Sequence, residues 1–64
     1  MRLYGNGVCT DCKIARMLLD KNGIVYVWAD ISTLPGFEGE IPLLILDDGR
    51  SVVGIGSIRR ALSI

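Results

Sequence analysis

The sequence predicts an α/β fold: a four-stranded mixed sheet in the order β-α-β-β-β-α, packed by helices. Three observations carry this. A stretch with helical spacing lies between two apolar runs of strand character, at the start of the chain and at Ile24–Ile31. Asp47-Asp48-Gly49-Arg50 then separates two further apolar runs, the signature of a hairpin. Glycines at 54 and 56 precede a short amphipathic end.

Taken in order, Arg2–Tyr4 read as a short strand with Leu3 inward. Gly5, Asn6 and Gly7 break regular structure and let the backbone turn. A helix starts near Cys9–Thr10, with Thr10 as a cap and Asp11 in the first turn, where a negative charge suits the dipole. Ile14, Met17 and Leu18, with Ala15 beside them, form the expected inward stripe. Asn22-Gly23 ends the helix. Ile24–Ile31 is β-branched and aromatic, and is expected as the second strand. Strand, helix and strand within about 30 residues make a right-handed βαβ unit with parallel strands.

Ser32–Glu40 is a connection too rich in proline and glycine for more than a turn of helix. Phe37 within it is expected to fill the space that a helix would take. Ile41–Leu46 is the third strand, with Pro42 at its beginning, where the missing donor harms the ladder least. Ser51–Ile55 is the fourth. Ser57 looks like the cap of a last helix, Ile58–Leu62, with Ile58 and Leu62 inward. Tyr4 and Trp28 are tempting as substrate-facing aromatics, but strand aromatics in so small a protein belong more often to the core.

Size and charge limit the functions open to the chain. Its 64 residues are expected to form a single domain, 1–64. A chain of that length buries about 60% of its unfolded surface, so the core is marginal. Half of the residues are apolar, which is too many for disorder. Seven basic and seven acidic residues cancel, and no basic run exists, which argues against nucleic acid. No apolar run reaches the length of a membrane span, and the first residues do not read as a signal peptide. The expected compartment is the cytoplasm, and the expected state a monomer.

The chemistry lies in Cys9-Thr10-Asp11-Cys12. These are the only two cysteines, and the chain has no histidine. A disulfide between them closes too small a loop to stabilise the fold much. In a reducing compartment such a pair is catalytic or metal-binding. At the helix start, Cys9 faces unsatisfied amide donors and the positive end of the dipole, which favour a thiolate. Cys12 is one turn on, so its sulfur lies next to that of Cys9. Cys9 is the candidate nucleophile and Cys12 the resolving thiol. Asp11 is the anomaly, an acid beside the place where a thiolate must form. Lys13 and Arg16 offset it if they point toward the site; the plainer reading is that they are solvated surface charges.

The order of elements, with C-x-x-C at the first helix and Pro42 opening the third strand, resembles the thioredoxin superfamily. Within it the likeness is to the small glutaredoxins and the glutaredoxin-like redoxins that reduce ribonucleotide reductase. The matched features are Leu3-Tyr4-Gly5 leading to Cys9 and Cys12, Ile41-Pro42 before Leu43–Leu46, Asp48-Gly49 in the hairpin, and Val53-Gly54-Ile55-Gly56 before the last helix. The resemblance implies a minimal thioredoxin-like fold and a dithiol-disulfide oxidoreductase acting as an electron carrier. It implies a cis bond before Pro42, although a trans proline opening an edge strand is the simpler alternative. It also implies substrate contacts at Thr10, Asp11, Ile41, Pro42 and Gly54. For Gly54 and Gly56, a strand end needing unusual dihedrals explains the glycines equally well.

The sequence departs from the family in several places. Thr10-Asp11 stands where glutaredoxins typically carry Pro-Tyr. The connection Ser32–Glu40 is too short for the usual helix. Gly5-Asn6-Gly7-Val8 lacks the basic residue that meets a glutathione carboxylate. Ile55 separates the late glycines, and Ser57 is the only polar residue just after them. No prosthetic group is required. The external reductant is either glutathione or a thioredoxin reductase, and the partners are disulfide-containing proteins, ribonucleotide reductase among the candidates. A second reading is a metal-binding or cluster-bridging module that uses Cys9 and Cys12 in a dimer.

Overall fold

The computed structural model describes residues 1–64. It is a small α/β structure with a four-stranded mixed sheet and two helices. The elements are β1 (Arg2–Gly5), α1 (Thr10–Lys21), β2 (Val27–Asp30), a single 3-10 turn (Ile31–Thr33), β3 (Leu43–Ile45), β4 (Ser51–Val53) and α2 (Ile55–Leu62). The strand order is β2-β1-β3-β4. β1 and β2 are parallel, and the other two pairings are antiparallel. No helix is long and apolar enough to cross a membrane.

One face of the sheet carries the main core. Leu3 sits opposite both Trp28 and Leu44, and Leu44 opposite Val52. These residues share a face because strand side chains alternate. Leu3, Leu44 and Leu46 meet Ala15 and Leu19 of α1 and Ile58 of α2, so both helices cover this face. Ala61, Leu62 and Trp28 border the cluster. Tyr4 and Leu43, register partners of opposite parity, are buried toward the other face.

The helix stripe expected from spacing is corrected. Cys12, Ala15 and Leu19 are the buried positions of α1. Ile14 is 40% exposed and Met17 69% exposed. A helix on one side of a small sheet buries a narrow arc. Here the cysteine, a small residue and one leucine fill that arc at i, i+3 and i+7. Leu18 is half-buried at its margin.

The C-terminus of α1 behaves as expected, with Asn22 as C-cap and Gly23 at φ +68°. The Gly23 N–H donates to the Asp20 carbonyl and the Ile24 N–H to the Leu19 carbonyl, which satisfies the last turn. Residues 24–26 are spent on this return. β2 therefore starts at Val27 rather than Ile24 and pairs only along the four residues of β1. It ends at Asp30, whose carboxylate accepts the Ser32 N–H at 2.9 Å and caps the 3-10 turn. Phe37 is half-buried, and its ring lies over Gly39, where an added Cβ would meet Cζ at 2.5 Å.

β3 is shorter than the expected Ile41–Leu46 and runs only over Leu43–Ile45; the Ile41–Pro42 peptide just before it is cis. The hairpin forms as expected. Leu46 N–H donates to Arg50 O at 2.8 Å, Gly49 adopts φ +91°, and Asp48 accepts from the Arg50 backbone and side chain. The last helix begins at Ile55 instead of Ile58, and its N-cap is Gly54, not Ser57. The Ile58 N–H already donates to Gly54 O at 3.0 Å. Ile55-Gly56-Ser57 reads locally as a break, yet here it forms the first helical turn.

Candidate active site

The site forms where β1 runs out. Continuing the register past Tyr4 and Leu43 puts Gly5 beside Pro42. Continuing past Leu43 and Val53 puts Pro42 beside Gly54, and the Gly54 N–H donates to Pro42 O at 2.9 Å. Gly5 is also opposite Asp30 of β2. The ends of four strands thus bring Asp30, Gly5, Pro42 and Gly54 into one row. The row lies at the carboxyl ends of the parallel pair, the usual ligand side of such sheets.

From Gly5 the chain turns through Asn6, whose side-chain oxygen accepts the Val8 N–H at 3.1 Å, and enters α1. Cys9 is the N-cap, with extended dihedrals of −84° and 116°. Its carbonyl accepts the first helical bond, from Lys13 N–H. Its sulfur accepts the Cys12 N–H at 3.2 Å. Serine and threonine oxygens usually fill this position. Here a sulfur does, and it meets an amide that the helix leaves unsatisfied. Thr10 is therefore not the cap; it is the first helical residue and is exposed.

The two thiols differ sharply. Both are free. Cys9 is partly exposed, and Cys12 is fully buried. Burial, chiefly, pushes the Cys12 thiol up to about 11, and its hydrogen bond with Cys9 adds to this. The backbone N–H of Asn6 pulls the other way, and the charges of Cys9 and Asp11 raise it further.

Sequence reasoning missed the importance of Gly5. It is the last residue of β1, not part of the turn, and is buried. A Cβ built on it would lie 2.5 Å from Cys12 Sγ and 2.8 Å from Trp28 Cη2. Sulfur and indole edge thus border the same small space, close enough for sulfur–aromatic contact. Trp28, half-buried at the border of the core, is accordingly also a neighbour of the dithiol. The signal available was a glycine at the end of an apolar strand, where close approach is a standard reason for glycine. Asp30 was also missed; its carboxylate is held below the usual range by the Ser32 N–H.

The other expected residues are placed as follows. Pro42 is fully buried and Ile41 half-buried, joined by the cis bond. Gly54 takes φ +85° and ψ 157°, a region essentially reserved for glycine. Nothing lies within 4 Å of its missing Cβ, so the backbone angle, not crowding, explains it. Gly56 has no such need, being helical with its nearest contact at 3.9 Å. No group of three or more His, Cys, Asp or Glu side chains converges. A groove of about 450 Å³ is on the sheet face away from the helices, lined by residues such as Tyr4, Val27 and Ile45. It holds neither cysteine.

No family model, curated protein or solved structure matches the chain.

Proposed function

We propose that this chain is a thiol-disulfide oxidoreductase with a minimal thioredoxin-like fold of the glutaredoxin kind. Its dithiol would reduce disulfides of proteins or small molecules. The observation that carries the reading is the asymmetry of the pair. Cys9 caps α1, partly exposed, and accepts an amide hydrogen bond on sulfur, while Cys12 is buried and protonated beside it. A metal ligand pair has no need of that difference.

The asymmetry sets the order of events. Cys9 attacks one sulfur of the substrate disulfide as a thiolate. A Cys9–substrate disulfide forms, and the substrate's other sulfur leaves as a thiolate that takes a proton. Cys12 then attacks Cys9 Sγ, gives up its proton, and expels the second substrate sulfur. Two electrons pass from the dithiol to the substrate, which leaves as two thiols, and the chain ends as a Cys9–Cys12 disulfide. Two of the causes that keep Cys12 protonated come from Cys9 itself. Both weaken once Cys9 is bonded to substrate, which eases the loss of the Cys12 proton against the burial that remains. An external thiol reductant then restores the dithiol.

The row beside the dithiol suits an extended substrate. Ile41 and Pro42 present irregular backbone just before the start of β3, next to Gly5 and Gly54. Thr10 and Asp11 are exposed at the helix start, where a bound peptide would meet them. The uncharged Gly5-Asn6-Gly7-Val8 favours a thioredoxin-type reductase over glutathione as electron donor, with ribonucleotide reductase among the candidate acceptors. NADPH consumption with insulin disulfide as acceptor tests this, each reductase system being supplied in turn. The reading expects turnover with one of them and none for Cys9→Ser. No disulfide reduction with either system, or with dithiothreitol, would refute it.

A further inference from the structure

A groove of about 340 Å³ runs along α1, lined by Lys13, Arg16, Met17 and Asp20. At 3.6 residues per turn, Cys9, Cys12, Lys13 and Arg16 fall within about 100° of helix arc, whereas Asp11 lies outside it. The groove is therefore a continuation of the dithiol flank.

Arg16 is unlike the other arginines. Arg2 bonds Tyr4, Arg50 bonds Asp48, Arg59 bonds the Ile64 carbonyl, and Arg60 bonds Ser57. The guanidinium of Arg16 donates to nothing in the chain. It stacks over the Trp28 ring instead, 4.5 Å from the centroid. Stacking fixes the plane of the group while leaving its N–H edge free. The same Trp28 borders the Cys12 sulfur at Gly5, so one ring ties the cation to the dithiol. Neither Lys13 nor Arg16 takes part in the chain's two ion pairs. Asp20, four residues after Arg16 and in the same groove, does not pair with it. A pre-oriented guanidinium with unused donors matches the fork of a carboxylate.

The geometry points to the Lys13–Arg16 flank of α1 as the docking edge for an acidic peptide segment of the disulfide-bearing protein that this chain reduces. Arg16 receives a Glu or Asp side chain of that segment, and Lys13 adds to the attraction. Met17, 69% exposed in the groove, supplies apolar contact beside the cations. The charge complementarity carries the choice of occupant: two unpaired cations face one acid there. This inference rests on the oxidoreductase reading and names the substrate class for that same site.

The test uses the full chain, reduced with dithiothreitol and freed of it, in single turnovers. Three peptides carry the same disulfide, flanked by Glu, by Gln or by Lys. The native chain is expected to react about three- to tenfold faster with the Glu peptide than with the Gln peptide at low salt, and slowest with the Lys peptide. The Glu/Gln ratio is expected to fall toward one in 0.5 M salt and in Arg16→Gln. Arg16→Lys is expected to restore part of it, and Lys13→Gln to reduce it. Circular dichroism identifies any variant that fails to fold, and the salt arm needs no variant. Equal rates with the three peptides overturn the docking edge and leave the oxidoreductase reading standing. So does a ratio that Arg16→Gln and salt do not change. Reaction with none of the peptides overturns both.

Discussion

Replacing Gly5 with alanine tests the packing that joins fold and site. The added methyl would meet Cys12 Sγ at 2.5 Å, Trp28 Cη2 at 2.8 Å and Cys12 Cβ at 3.1 Å. Two of these atoms belong to a fully buried cysteine on the helix, so they cannot yield without moving α1 against the sheet. Overpacking of this kind costs about 1–3 kcal/mol. Restricting the unfolded chain returns roughly 0.4–1 kcal/mol, because Gly5 has no positive φ. A net loss of about 1–2 kcal/mol lowers Tm by roughly 5–15 °C in a chain of this size. Thermal unfolding of the reduced protein by circular dichroism measures it. Gly7→Ala is the control, since nothing lies within 4 Å of that position. Cys12→Ala removes the nearest atom, so the double variant with Gly5→Ala should lose less than the sum of the two. If Gly5→Ala is as stable as Gly7→Ala, the tight approach of strand, sulfur and indole is wrong.

Other perturbations address the thiols and the strand ends. Because the folded chain holds the Cys12 proton up to about 11 against 9.0, the unfolded chain loses it first as pH rises. That part of the stability is present below about pH 9 and is lost as the pH rises toward 11. Urea midpoints across this range should fall more for the native reduced chain than for Cys12→Ala, and equal slopes would count against the buried thiol. Gly54→Ala should cost about 1–3 kcal/mol, from the angle alone; a neutral result in urea unfolding would contradict the assigned backbone. Trp28 is the only tryptophan and borders Cys12, so its emission should change when the dithiol is oxidised and stay constant in Cys12→Ala.

The sequence made some of this legible because the signals were local. Asn22-Gly23 ends α1, Asp48-Gly49 turns the hairpin, and the C-x-x-C sits at the helix start, all as read from neighbouring residues. What failed depended on the rest of the chain. Ile14 and Met17 look like core by spacing, but Cys12 and Ala15 took that arc because the sheet offers α1 only a narrow strip. Ile24–Tyr26 look like strand, but the helix end uses Ile24 and β1 is too short to pair with the rest. Thr10 looks like the cap because sulfur is an unusual one, and the cap proved to be Cys9. Gly5 looks like a turn residue because only the fold reveals the sulfur and indole above it.

The central claim is that Cys9 attacks and Cys12 resolves. Mass spectrometry of Cys12→Ser after reaction with a peptide disulfide tests it most directly. The account expects one peptide held on Cys9 by a stable mixed disulfide, and a Cys9–Cys12 disulfide with no retained peptide in the native chain. A Cys9→Ser variant that still reduces the peptide, or forms the adduct on Cys12 at the native rate, would contradict it.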